Sequence, residues 1–245
     1  MSELQFLEKD GIRLAFKAQI GKSPGVLFLG GFRSNMEGSK AQYLDDWAAK
    51  RGQAFRRFDY FAEGQSPGDF LEASLSHWRD DALAMLDDAQ GKQILVGSSM
   101  GGWISLMLAR LRPERIAGMV LLAPAPDFSE NLMWANFSED ARREIMGKGV
   151  WYQPNAYEPP RPITRLFIED GRKNLVLGIP LKVDFPVRIL QGMQDADVPW
   201  AYAMQLLDLI EGDVRMTLLK NSDHRLSEPP ELRLMAHTIE GLLET

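Results

Sequence analysis

The sequence predicts a mostly parallel, doubly wound α/β sheet with helices on both faces. Continuous apolar runs such as Gly25-Val26-Leu27-Phe28-Leu29-Gly30-Gly31 and Ile116 to Leu122 have the composition of strands buried on both faces. Segments of helical periodicity alternate with them, which is the order of βα units. The 245 residues, 45% of them hydrophobic, suffice for one sizeable core, so residues 1–245 are expected to form a single domain.

In chain order, Leu4 to Leu7 and Ile12 to Ile20 flank a Lys9-Asp10-Gly11 turn and predict an antiparallel hairpin at the sheet edge. The buried strand that follows stops in the pair Gly30-Gly31. Ser39 with Gln42 has the spacing of a capping box, and Tyr43, Leu44, Trp47 and Ala48 recur at helical spacing up to about Gly52. Gln53 to Tyr60 reads as a strand, and Asp59 to Gly68 as a loop rich in glycine, serine and proline. Asp69 to Gln90 carries Leu71, Leu75, Trp78, Ala82, Leu83 and Leu86 along one face, with Arg79, Asp80, Asp81 and Asp87 expected on the wet side. After the strand Ile94 to Val96, a helix from Gly101 to Leu111 ends before Pro113, and Ala123-Pro124-Ala125-Pro126 breaks the next strand.

The alternation lapses between about Asp127 and Asp184. Phe137 to Met146 and Ile163 to Ile168 have helical periodicity, no buried strand is evident, and Pro154, Pro159, Pro160 and Pro162 make a stiff connector. A small helical cap over 127–184, inserted after the sixth strand, is the expectation. The pattern then resumes with a strand at Val187 to Gln191, a helix at Trp200 to Ile210, a strand at Val214 to Leu219 and a closing helix at Pro229 to Leu243 with proline in its first turn.

Within this frame Gly97-Ser98-Ser99-Met100-Gly101 joins a buried strand to a helix through a turn that only small residues permit. Gly97 and Gly101 stand two residues either side of Ser99, the spacing of a nucleophile elbow. Ser98 would instead be flanked by Val96 and Met100, so Ser99 is the candidate nucleophile. A serine hydroxyl needs a base to take its proton and a third group to hold that base. Of the three histidines, His77 and His237 fall inside amphipathic helices, whereas His224 follows the last strand at the carboxyl edge of the sheet, where open α/β sheets gather their sites. The loop Gly192-Met193-Gln194-Asp195-Ala196-Asp197 supplies the acid. Asp195, earlier in the turn, is favoured; Asp197 is better placed to cap the next helix, and Asp223 is too close to His224. Acyl transfer also builds an oxyanion, and the backbone amides of Met100 and Phe32 are the candidate donors. Their side chains are expected to line an acyl pocket.

Composition narrows the alternatives. A net charge of −6 and a pI near 5.2 argue against nucleic acid as a partner. The absence of cysteine excludes disulfides and thiolate metal sites, and with three scattered histidines no metal and no cofactor is expected. No stretch approaches the ~18 apolar residues of a membrane span, no leader is evident at the N-terminus, and the chain reads as cytoplasmic. A dinucleotide module would need a Gly-x-Gly-x-x-Gly turn, which no stretch offers.

The order Ser99, Asp195, His224 resembles that of the α/β-hydrolase superfamily over essentially the whole chain. Gly30 to Ala41, Asp59-Tyr60-Phe61 with Gly64 and Ser66, Gly97 to Gly102, and Ser222 to Arg225 are similar to the subfamily of palmitoyl-protein thioesterases and acyl-glucuronide esterases. The resemblance implies a serine hydrolase of carboxylic esters or thioesters, with a small-molecule ester or an S-acylated protein as substrate. Peptidase, C–C hydrolase or perhydrolase chemistry on the same three residues, or a ligand-binding protein without turnover, are the alternatives. Leu132, Met133, Trp134, Phe137, Ile145, Met146 and Trp151 form either an acyl-chain pocket or the cap's own core. Arg33 and Arg225, beside the oxyanion and base loops, either meet a carboxylated leaving group or lie solvated.

Overall fold

The computed structural model describes residues 2–9, 11–154 and 160–244. Its sheet has eight strands, β1 (Leu4–Lys9), β2 (Ile12–Gln19), β3 (Lys22–Leu29), β4 (Gln53–Phe58), β5 (Gln93–Ser98), β6 (Ile116–Leu122), β7 (Val187–Gly192) and β8 (Val214–Leu219). They lie in the order β1-β2-β4-β3-β5-β6-β7-β8. Only the β1–β2 and β2–β4 pairings are antiparallel; every pairing from β4 through β3 to β8 is parallel.

Alternation along β3 explains why its apolar run is continuous. Val26 and Phe28 face a layer made by α1 (Ser39–Arg51) and the last helix, with Leu44, Trp47, Met235 and Ile239. Leu27 and Leu29 face the opposite layer, where α2 (Leu75–Asp88) and α3 (Met100–Leu111) contribute Trp78, Met85, Trp103 and Ile104. A strand covered by helices on both faces has no wet side and needs no polar positions.

Some element ends differ from expectation for local reasons. Helix α1 is capped at Gly38, whose side chain offers nothing; Ser39 is the first helical residue, and Gln42 turns its amide to the Glu37 carboxylate, so the capping box does not form. The expected helix from Asp69 divides into a single 3₁₀ turn, Phe70–Glu72, and α2, because Ser74 accepts the His77 N–H at 3.3 Å and restarts the chain there. Asp81, expected in water, is buried and accepts the Phe61 N–H at 2.8 Å.

The segment between β6 and β7 mixes helix and strand. A π turn at Ser129–Met133 and a 3₁₀ turn at Trp134–Asn136 lead into α4 (Glu139–Lys148). Val150–Gln153 then pairs antiparallel with Arg161–Thr164, and α5 (Arg165–Lys173) follows. The strand at 161–164, where only helix and connector were expected, buries Ile163 completely. Pro162 belongs to this short hairpin and Pro160 precedes its second strand, while Pro159 lies outside the described residues. Beyond β7 the expected helix is broken into α6 (Trp200–Ala203) and α7 (Gln205–Leu209). The chain closes on α8 (Pro229–Leu243), whose Glu228 and Glu231 form a reciprocal capping box. Among the described residues no helix is long and apolar enough to cross a membrane.

Candidate active site

Ser99 stands between β5 and α3 with φ 54° and ψ −114°, a conformation that L-residues rarely adopt. The backbone around it holds it there. Its N–H donates to the Leu122 carbonyl at 2.9 Å, and its carbonyl accepts from Gly102 at 2.9 Å and Ala125 at 3.1 Å. The glycines of the elbow are steric necessities. A Cβ on Gly101 would come within 2.1 Å of the Leu29 carbonyl oxygen, and one on Gly97 within 2.5 Å of the Gly101 oxygen.

His224 Nε2 lies 3.0 Å from Ser99 Oγ, and His224 Nδ1 lies 2.8 Å from Asp195 Oδ2. The Asp195 side chain is fully buried, that of His224 22% exposed. The carboxylate is saturated: Gln191 Nε2 donates to Oδ2 at 2.9 Å, and the Asp197 and Val198 amides donate to Oδ1 at 3.0 and 2.7 Å. Asp197 is exposed and gives Asp195 only its backbone, and Asp223 accepts the Arg225 N–H, so neither replaces Asp195 beside the imidazole. The two loops are zipped together by Met193 N–H to Leu219 O and Gln194 N–H to Ser222 O, both 2.9 Å. Gly192 makes that approach possible, since its Cβ would meet Ser222 O at 2.3 Å. Lys40, at the start of α1, donates to the Arg225 carbonyl and ties the histidine loop to the α1 layer. The other histidines lie apart from this group: His77 meets Phe61 edge-on, and His237 is on the wet face of α8.

On the other side of Ser99, the turn Gly31-Phe32-Arg33-Ser34 follows β3. The Phe32 ring is stacked on Phe167 of α5 at 5.1 Å and touches Phe70, Trp78 and Phe128. Among the described residues the Phe32 and Met100 amides have no acceptor, the second because it opens a helix. The Met100 side chain is wholly buried in the core, so it cannot line a pocket as expected; Phe32 is half-buried.

Two carboxyls of the loop after β4, Asp59 of the quoted Asp59-Tyr60-Phe61 motif and Glu63, which the sequence did not single out, clamp this turn and the residues just after it. Asp59 Oδ1 accepts the Met36 N–H at 2.6 Å, and Glu63 Oε1 accepts the Arg33 N–H at 2.8 Å. Burial pushes Asp59 up from the usual carboxylate range, against hydrogen bonds from the Gln65 and Met36 amides. It raises Glu63 to about 8, opposed by the Arg33 amide and reinforced by Asp59. Gly64 was the available signal, because at φ 53° its Cβ would strike Asp59 Oδ2 at 2.1 Å.

Arg33 is exposed and lines a cavity of about 290 Å³ with Glu63, Phe70 and Pro162. Arg225 is also exposed. In the segment after β6, Phe137 packs edge-on against Trp151 at 5.1 Å, and Trp134 carries the guanidinium groups of Arg142 and Arg172 over its ring. Met133 is half-buried beside them against the main core. These contacts use Trp134, Phe137 and Trp151 in the segment's own packing.

A parallel sheet with a strained serine at its central strand-to-helix turn is the architecture of the α/β-hydrolases. The family model described as Serine aminopeptidase, S33, matches residues 26–165. The mitochondrial palmitoyl-protein thioesterase ABHD10 of Rattus norvegicus is 39% identical over 246 residues, covering 98% of this chain and 82% of that protein. The chain belongs to the ABHD10 family of α/β-hydrolases. A putative hydrolase from Agrobacterium vitis superposes with a TM-score of 0.92 at 38% identity, covering 99% of this chain and 98% of that one. The mouse α/β-hydrolase domain-containing protein 10 does so with 0.91 at 37%, covering 99% of each. The rat relative is a mitochondrial protein, which overturns the cytoplasmic expectation. The absence of cysteine and an acidic balance do not distinguish the two compartments.

Proposed function

We propose that this chain hydrolyses S-acyl thioesters and carboxylic esters through an acyl-enzyme on Ser99. The observation that carries the reading is the continuous chain Ser99–His224–Asp195, at 3.0 and 2.8 Å, on a serine held at positive φ. His224 Nε2 takes the Ser99 proton as Oγ attacks the acyl carbonyl, then delivers it to the leaving thiol or alcohol. Asp195, buried and fully hydrogen-bonded, holds the ring by Nδ1 and offsets the imidazolium charge. The Phe32 and Met100 amides receive the oxyanion, and a water activated by the same imidazole releases the acid. The S-acyl protein substrate class is supported by the name of the rat relative, a palmitoyl-protein thioesterase.

The test is a panel of p-nitrophenyl esters and acyl-peptide thioesters of graded chain length. Wild type should turn over both classes, and Ser99→Ala should lose turnover and labelling by a fluorophosphonate probe together. Labelling that survived in the variant would remove Ser99 from the mechanism. The aminopeptidase description of the family model favours including aminoacyl anilides; cleavage of these in preference to thioesters would move the assignment to peptide bonds. We infer that the Arg33 guanidinium, exposed on the 290 Å³ cavity beside the Phe32 turn, meets a carboxylate on the leaving group. Arg33→Ala should cost more on carboxylated than on neutral esters, and equal losses would reject that contact.

A further inference from the structure

The turn Gly31–Ser34 accounts for its amides unevenly. Gly31 N–H donates to Ser34 Oγ at 3.1 Å, Ser34 N–H to the Gly31 carbonyl at 3.2 Å, and Arg33 N–H to Glu63 Oε1 at 2.8 Å. Phe32 is left as the one amide of the four without an acceptor among the described residues. Arg33 sits at φ 57° in the third position of this turn, a place that ordinarily takes glycine. For a residue with a Cβ that conformation costs about 1–2 kcal/mol. Something outside the turn must hold it: the Arg33 guanidinium lies over the Phe70 ring, and the group that bonds its backbone is Glu63. Glu63 is itself only 5% exposed, and its Oε2 is buried with no hydrogen-bond partner among the described residues. A side chain this enclosed, with its carboxyl turned to the Arg33 amide and, more weakly, to that of Ser34, is a fixed point for that turn and not a solvated acid.

We propose that Glu63 is a positioning residue for hydrolysis: by accepting the Arg33 N–H it holds the Phe32–Arg33 peptide in its left-handed turn and so aims the Phe32 N–H at the oxyanion. The assignment rests on the reading of Ser99 as nucleophile given above. Without the acceptor, Arg33 relaxes toward negative φ and carries Phe32 with it, while the imidazole side of the site is untouched. The loss therefore falls on the transition state and leaves substrate binding nearly unchanged. The reach of the acceptor matters, and its charge does not.

The experiment is steady-state kinetics of Glu63→Ala, Glu63→Asp and Glu63→Gln beside wild type and Ser99→Ala, on one p-nitrophenyl ester and one acyl thioester. Since deleting an oxyanion donor costs about 10²–10³ in kcat, misaiming one should cost roughly 10- to 100-fold. That drop is expected in Glu63→Ala with KM within about threefold. Asp, one methylene short, should fall similarly, and Gln, whose Oε1 has the same reach, should restore most of the loss. If Glu63→Ala does not yield folded protein, the Asp and Gln pair decides alone. A Gln variant as slow as the Asp variant overturns the proposal, and so does a loss confined to KM. Near-normal kcat in Glu63→Ala with Ser99→Ala inactive overturns the role of Glu63 and leaves the hydrolase reading standing. Turnover by Ser99→Ala overturns the reading itself.

Discussion

At the scale of single residues, the site depends on where protons rest. Removing the imidazole in His224→Ala leaves Ser99 without a base at 3.0 Å, and kcat should fall by about four orders of magnitude or more, measured on an activated ester. Glu63 makes a separate prediction about stability. Its carboxyl is raised from 4.5 to about 8 in the folded chain. The native state therefore binds a proton that the unfolded chain has released, so stability falls as pH rises from near 4.5 to 8. Glu63→Gln keeps the neutral shape at every pH. Thermal unfolding of the two from pH 5 to 8 should diverge, wild type losing on the order of a few kcal/mol relative to the variant. Parallel curves would refute the shift. Ser99 stood out by the glycines two residues either side of it, His224 as the one histidine outside a helix, and Asp195 by its place early in a loop after a strand. Glu63 did not, because an acid in a polar loop has the composition of an ordinary solvated one until the turn it faces is known.

At the scale of elements, glycines separate by what surrounds them. Gly101 packs against the backbone of β3, and Gly101→Ala should destabilise strongly or prevent folding, since a Cβ at 2.1 Å from a carbonyl oxygen can be relieved only by separating α3 from the sheet. Gly147, within α4, has nothing within 4 Å of its Cβ position. Gly147→Ala should gain about 0.5–1 kcal/mol by restricting the unfolded chain. A melting curve for each variant checks the pair. The strands and helices of the sheet layers were legible to within a few residues, because burial on both faces writes an uninterrupted apolar run. The ends were less so. Ser39 had the composition of a cap but not the place, and Ser74 had the place without standing out. In the segment after β6, Arg161–Thr164 pairs with a strand eight or more residues back, a partnership that four residues with a proline among them do not announce.

At the scale of the whole molecule, the segment after β6 is closed on itself at its two ends and fastened to the main body at α2. The Asp127 carboxylate accepts the Val176 and Leu177 amides at 2.8 and 2.9 Å, and Asp170 accepts from the Ser76 amide and hydroxyl at the start of α2. Asp127→Ala would leave the buried Val176 amide and the half-buried Leu177 amide unpaired, at ~1–3 kcal/mol for the first if no water replaces the carboxylate. Faster amide exchange at Val176 and Leu177, with Ser99 still labelled by the probe, is the expected result; unchanged exchange would mean the junction is held by packing alone. Through Phe167 on Phe32 this segment also bears on the turn proposed to hold the oxyanion, a long-range connection that no local pattern in the sequence could disclose. The separation of Ser99 from His224, 125 residues along the chain, has a consequence for the order of events during synthesis. A growing chain carries its elbow serine long before the proposed base exists, and β7 and β8 must both dock before Ser99, His224 and Asp195 come within hydrogen-bond reach. Reactivity thus appears last, as a property of completed tertiary structure, and a probe for activated serine would report the arrival of the final strands more sharply than any measure of helix content.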